Sequence, residues 1–141
     1  MVNAVIGAKG EMAKNLLLGL LKKIGPVLEV DKDSSREQWE KLWQADAIWL
    51  AVPRDTIPEI LKNVRLRPDQ LIVDICSIKR HLSDVLHPTN AACFSLHPLH
   101  GPYVPLQGQK WAVIKTPGQS FEHPLIQKLL QFLKDEGISF L

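Results

Sequence analysis

Apolar positions along this chain follow two alternating rhythms: short unbroken runs, and longer stretches with helical spacing. Val2 to Ile6 reads as a short strand. Ala13, Leu16, Leu17, Leu20, Leu21 and Ile24 then recur three and four residues apart, which predicts a helix with one apolar face. Gly25-Pro26 stops that helix, and Val27 to Val30 makes a second strand. Ser34 and Glu37 have capping-box spacing, opening a helix in which Trp39, Leu42 and Trp43 face the sheet. Ala47 to Val52 is continuously apolar, as in a strand buried on both faces. Thr56 caps the next helix, with Pro58 in its first turn and Glu59 reaching back.

The alternation continues to the end of the chain. Leu71 to Cys76 is a fourth strand, followed by a short helix around Leu82, Val85 and Leu86. Ala91 to Leu96 is a fifth, leading into the loop His97-Pro98-Leu99-His100-Gly101-Pro102. Trp111 to Ile114 is a sixth, Leu125, Ile126, Leu129, Leu130 and Leu133 line one side of a helix opened by Pro124, and Gly137 precedes a seventh strand over Ile138 to Leu141. Strands separated by helical stretches call for parallel βαβ units. The expected fold is therefore α/β: a Rossmann-type, doubly wound, mostly parallel sheet, in a single dinucleotide-binding domain over residues 1–141.

Composition narrows this picture only at its edges. The chain has 141 residues, 45% hydrophobic and 23% charged, ordinary values for one globular domain. No apolar run approaches the ~20 residues that span a bilayer. The N-terminus lacks a basic start and passes straight into a glycine turn, unlike a secretory signal. A soluble, cytoplasmic protein is expected. The formal charge of +2 is too small to imply nucleic acid. Cys76 and Cys93 lie inside apolar strands, as buried thiols of a reducing compartment do.

Candidate chemistry begins with the turn after the first strand. A pyrophosphate reaches a helix N-terminus only where the backbone comes close and amides point at it. The G-x-G-x-x-G pattern is met here as Ala8-Lys9-Gly10-Glu11-Met12-Ala13, with Gly7 just before it and alanine where helix and strand pack. Gly7, Ala8, Lys9, Gly10, Glu11 and Met12 are thus candidate cofactor-binding residues. Asp31, just past the second strand, is placed to accept hydrogen bonds from ribose hydroxyls. Its charge also repels a 2′-phosphate, so NAD is expected rather than NADP, with Lys32 and Arg36 moderating the preference.

In an open parallel sheet, ligands bind beyond the carboxyl ends of the strands. Two loops with useful chemistry fall there, Asp74-Ile75-Cys76-Ser77-Ile78-Lys79 and the His97–Pro102 loop. A free imidazole titrates near ~6.5 and suits proton abstraction from an alcohol while hydride leaves its carbon. His97 and Ser77, leaving adjacent strands, could meet over a nicotinamide.

The glycine loop, then Ala45-Asp46-Ala47-Ile48-Trp49-Leu50-Ala51-Val52-Pro53, then Val73 to Lys79, then His97-Pro98-Leu99-His100-Gly101-Pro102 resembles the N-terminal domain of prephenate and arogenate dehydrogenases over essentially the whole chain. The serine–lysine segment with the HPxxGP loop is the more specific part of the match. The resemblance implies oxidative decarboxylation in tyrosine biosynthesis, with hydride passing to NAD(P) from the ring carbon that bears the 4-hydroxyl as CO₂ departs. It implies that His97 binds and deprotonates that hydroxyl and that Ser77 hydrogen-bonds with it and positions the histidine. It also implies that Val52 and Pro53, closing the third strand, lie along the cofactor, and that Lys79 is structural or lies near the cleft.

The resemblance further implies a second, helical domain that dimerises, closes the cleft and supplies an arginine for the substrate carboxylates, and residues 1–141 are expected to hold only the first domain. Lys79, Arg80, Lys110 and Lys115 remain as cations for two carboxylates. The expectation is a cofactor-binding piece, or a site completed by another chain. An oxidoreductase is favoured over a non-catalytic module that holds NAD on the same fold. A reductase of another small acid or imine shares the Ala51-Val52-Pro53 strand end but not the HPLHGP loop. A zinc set of Cys76, Cys93, His97 and His100 lacks the close cysteine pairs such sites use, so no metal is expected. Apolar surface near Ile138, Phe140 and Leu141 would favour a homo-oligomer.

Overall fold

A computed structural model describes residues 1–75, 91–114 and 122–141. Its strands are β1 (Asn3–Ile6), β2 (Val27–Val30), β3 (Ala47–Leu50), β4 (Leu71–Asp74), β5 (Ala92–Pro98), β6 (Lys110–Ile114) and β7 (Ser139–Phe140). They form one seven-stranded sheet in the order β2-β1-β3-β4-β5-β6-β7. The first five are parallel to one another; β6 runs antiparallel to β5, and β7 parallel to β6. The chain is thus a Rossmann-type α/β domain, as its alternating pattern requires. The predicted helix around Leu82, Val85 and Leu86 and the end of the fourth strand at Cys76 lie outside the described residues.

Alternate residues of each strand feed two cores. Val5, Trp49, Val73, Phe94 and Leu96 face the side covered by the first and last helices of the chain, while Ala4, Ile6, Ile48, Leu50, Ile72 and Cys93 face the other. On the first side, fully buried Trp49 donates its indole N–H to Asn3 Oδ1 at 2.9 Å, so the ring's polar atom is not left bare. Helix α1 is three end-to-end segments, Ala13–Leu17, Leu18–Leu21 and Lys22–Ile24. Its first segment has π geometry, with the Leu18 N–H reaching back to the Ala13 carbonyl. That wide turn rotates Leu18 inward, and it is buried although the regular spacing leaves it out.

Helix α2 (Arg36–Glu40) and its 3-10 extension Lys41–Gln44 cover the other side with α3 (Ile57–Asn63). Here the start signals shift. The capping box uses Ser35 and Gln38, not Ser34 and Glu37, because the Ser34 hydroxyl instead accepts from the Asp31 N–H at 2.8 Å. Of the three residues expected to face the sheet, Leu42 is buried, Trp39 is half-buried and Trp43 is exposed beneath the Arg65 guanidinium. Thr56 precedes α3 but makes no side-chain cap; its hydroxyl donates to the Pro53 carbonyl at 2.7 Å. Glu59 does not reach back either, since its carboxylate accepts from Asn63.

Helix α4 (Pro124–Asp135) closes the first side. Its cap is His123, whose Nδ1 accepts from the Leu125 N–H at 3.2 Å while Nε2 donates to the Asp69 carbonyl at 2.7 Å. Ile138, expected at the surface, is buried; Phe140 is half-buried and Leu141 exposed. No described helix is long and apolar enough to cross a membrane.

Candidate functional site

The turn out of β1 is built around Gly7. Its φ is +88°, and an added Cβ would stand 2.4 Å from the Ala51 carbonyl oxygen and 2.7 Å from a Val52 methyl. A side chain is excluded both by conformation and by space. The N–H groups of Gly7 and Ala8 donate to the Val30 carbonyl at 2.8 and 3.2 Å, tying the loop to the end of β2. Gly10 then closes onto the Gly7 carbonyl, and its own carbonyl accepts the Lys14 N–H at 2.8 Å. The amides of Glu11, Met12 and Ala13 therefore precede the helical ladder, where an anion is favoured. Ala8 departs from the glycine pattern without consequence: the sharp turn is made at Gly7, and Ala8 packs into the core.

Asp31 is held rigidly beside this loop. Its carboxylate accepts the Lys9 N–H on Oδ2 at 2.8 Å and the Lys32 N–H on Oδ1 at 2.7 Å. Each oxygen has capacity for a second donor, which suits two vicinal hydroxyls. The Lys9 ammonium crosses the same opening to the Asp33 carboxylate. Asp33 raises the lysine above its ordinary value, and Lys9 in turn holds the Asp33 carboxyl below the usual carboxylate range.

These groups line one cleft of about 760 Å³, bounded by Gly7, Lys9, Gly10, Asp31, Val52 and Pro53. It lies beyond the carboxyl ends of β1 and β3, where an α/β sheet takes its ligand. A glycine turn packed against the end of β3, a helix start and a fixed carboxylate suit a dinucleotide. Of the loop residues, Ala8, Glu11 and Met12 are not cleft walls. The cleft also takes in residues the pattern assigns elsewhere: Asp33, Asp55 and Thr56 at its rim, and Trp39 and Ile60 as apolar walls. Trp39 carries the helical spacing of a core residue, so periodicity alone could not place it here.

His97 stands elsewhere on the same edge of the sheet. It is not a loop residue: β5 continues through Pro98 because β6 pairs with it, His97 opposite Ala112 and Pro98 opposite Trp111. The half-buried imidazole thus sits at a fixed register, at the carboxyl end of the strand two beyond β3. Beyond it, Leu99 N–H donates to the Lys110 carbonyl at 3.0 Å. His100 accepts the Trp111 indole N–H on Nε2 at 2.8 Å, which leaves Nδ1–H to donate to the Gly101 carbonyl at 2.7 Å. With both ring nitrogens engaged, His100 anchors the turn. Asp74, at the end of β4, is fully buried and accepts the Ser95 hydroxyl at 3.3 Å, a pair that strand patterning did not single out. Lys110 is exposed on β6. Ser77, Lys79, Arg80, Cys76 and Lys115 lie outside the described residues.

The family model described as "prephenate dehydrogenase, nucleotide-binding domain" matches residues 24–141. Arogenate dehydrogenase from Synechocystis superposes with a TM-score of 0.74 at 16% identity, covering 100% of this chain and 59% of its own. Prephenate dehydrogenase from A. aeolicus, in complex with hydroxyphenyl propionate and NAD+, gives 0.73 at 16% identity, with 100% and 59% coverage. Pyrroline carboxylate reductase from Plasmodium falciparum, with NADP bound, gives 0.70 at 15%, with 100% and 57% coverage. At these identities the likeness is one of fold, and the chain spans about three-fifths of the first two proteins. No curated protein matches in sequence.

Proposed function

The chain belongs to the prephenate dehydrogenase family as its nucleotide-binding domain, and from that premise we propose that it serves the NAD-dependent oxidative decarboxylation of prephenate or arogenate. The observation that carries the reading is the shared sheet edge: a dinucleotide cleft beyond β1 and β3, with the His97 imidazole at the carboxyl end of β5. Gly7 and Gly10 let the backbone approach a pyrophosphate, the amides opening α1 receive its charge, and Asp31 accepts the ribose hydroxyls. Bound NAD supplies the hydride acceptor. His97 would take the proton of the substrate 4-hydroxyl as that ring carbon gives up its hydride, and the bonding pair left by the departing CO₂ would complete the aromatic ring. Ser77 is the second hydroxyl-binding group of this reading.

Turnover of prephenate or arogenate with NAD, followed by reduced-cofactor absorbance, tests the activity. NAD binding without turnover of either substrate would leave a cofactor-holding module instead. Cofactor choice is tested on Asp31. Calorimetry should show Asp31→Ala weakening NAD about tenfold or more, the loss of charge-assisted hydrogen bonds, with NADP affected less. Equal losses for both would remove Asp31 from the ribose. The assembly reading is a cytoplasmic homo-oligomer or a site completed by a partner chain, supported by the exposed Leu141 beside edge strand β7. Light scattering at micromolar concentration should give a mass above the monomer's, and a monomeric mass refutes self-association.

A further inference from the structure

The turn that follows His97 reaches back to the dinucleotide loop through one aromatic side chain. Tyr103 is 73% exposed, so burial does not fix its ring. Its hydroxyl donates to the Glu11 carboxylate and accepts from the Asn15 side-chain amide at 3.3 Å. Asn15 also donates to the Glu11 carbonyl at 3.0 Å. The three groups close a ring of polar contacts over the first turn of α1. The rest of the turn is tied to β6, through Leu99 with Lys110 and His100 with Trp111. Tyr103 therefore bridges two loops that hold different parts of the candidate site. A phenol donating to a carboxylate is a charge-assisted bond, among the stronger ones a surface can hold.

We propose that Tyr103, Glu11 and Asn15 form a latch coupling the His97-bearing segment to the dinucleotide loop, with Tyr103 as a positioning residue for the acid–base group. The inference rests on the cofactor reading above. A dinucleotide seated at the start of α1 restrains Glu11 and Asn15, and through them Tyr103 and the turn behind His97. The coupling is reciprocal: a latched turn favours the cofactor as much as the cofactor favours the latch. The hydrogen bond to Glu11 holds the Tyr103 hydroxyl above its ordinary value. The proton-bearing, latched form is therefore complete at neutral pH and is lost only as pH rises through that raised value.

Tyr103 is the single tyrosine of the chain, so phenolate absorbance reports on the latch alone. Alkaline titration of the full chain should give a midpoint above that of free tyrosine, and Glu11→Gln should return it toward the free value. Saturating NADH, the alkali-stable form of the cofactor, should raise the wild-type midpoint further. A midpoint unmoved by Glu11→Gln overturns the latch, and one moved by Glu11→Gln but not by bound NADH overturns the coupling. Independently, hydrogen exchange over residues 99–105 should quicken about tenfold in Tyr103→Phe, and unchanged exchange overturns the latch. The double variant Tyr103→Phe/Glu11→Gln should exchange no faster than Tyr103→Phe alone, because phenylalanine has already removed every contact of the hydroxyl; additive effects count against the latch. Failure of NADH to bind the wild type in neutral-pH calorimetry defeats the cofactor reading and the coupling with it, while the Glu11→Gln titration still decides the latch.

Discussion

Replacing His97 with asparagine is expected to lower turnover of prephenate or arogenate by about 10²–10⁴-fold, the usual contribution of a positioned general base. Asparagine keeps a polar side chain of similar reach but cannot accept and carry a proton at neutral pH. NAD affinity should stay close to that of the wild type, since His97 does not line the 760 Å³ cleft that holds the glycine loop and Asp31. The backbone should also be undisturbed, because the ladder bonds of β5 to β6 are made by main-chain atoms. Steady-state kinetics paired with calorimetry check both halves. Full activity in His97→Asn would remove it from the chemistry; a matching fall in NAD affinity would make it a cofactor contact instead.

Replacing Gly7 with alanine should act on the fold itself. The substitution forces an L side chain into a left-handed conformation and drives its Cβ against the Ala51 carbonyl. Strain of this kind costs about 1–3 kcal/mol, and displacing a strand end adds to it. A loss of about 3–5 kcal/mol in all would lower the melting temperature by roughly 10–17 °C. Dinucleotide binding should vanish together with the loop geometry. Gly108→Ala separates the two causes: its φ is +84°, yet nothing lies within 4 Å of the added Cβ. That variant bears conformational strain alone and should melt only a few degrees low, about what ~1–2 kcal/mol produces. Equal melting temperatures for the two would show that the close approach to β3 does not matter.

What the sequence could and could not reveal follows from which forces leave a periodic trace. The apolar face of α1 was readable because a single helix repeats its contacts, but the π turn that buries Leu18 depends on local hydrogen bonding with no periodicity of its own. The two serines at 34 and 35 offer two capping boxes one residue apart, with Glu37 and Gln38 as partners. The choice falls to Ser35 because Ser34 is spent on the turn that fixes Asp31, a tertiary decision. His97 was legible as a residue type in a suggestive loop, yet its place within β5 is set by pairing with β6, contributed by residues further along the chain. Tyr103 left no signal because an exposed aromatic looks like ordinary surface, and Trp39 was legible as a core position but not as a wall of the cleft. The glycine loop, the most obvious motif, precedes the 24–141 span that carries the family match. The cleft draws on both parts of the chain, since Asp31, Val52 and Pro53 on its wall fall inside that span.

The strand order also bears on how the protein is made. After β1 and β2 have paired, β3, β4, β5, β6 and β7 join the sheet at one edge in the order of their synthesis. No later strand has to insert between two already in place. A chain emerging from the ribosome N-terminus first can therefore extend its sheet one strand at a time, with each arrival covering the edge left open by the last. The outer edge of β2 stays the same throughout, so only the opposite edge of the growing sheet changes as strands arrive.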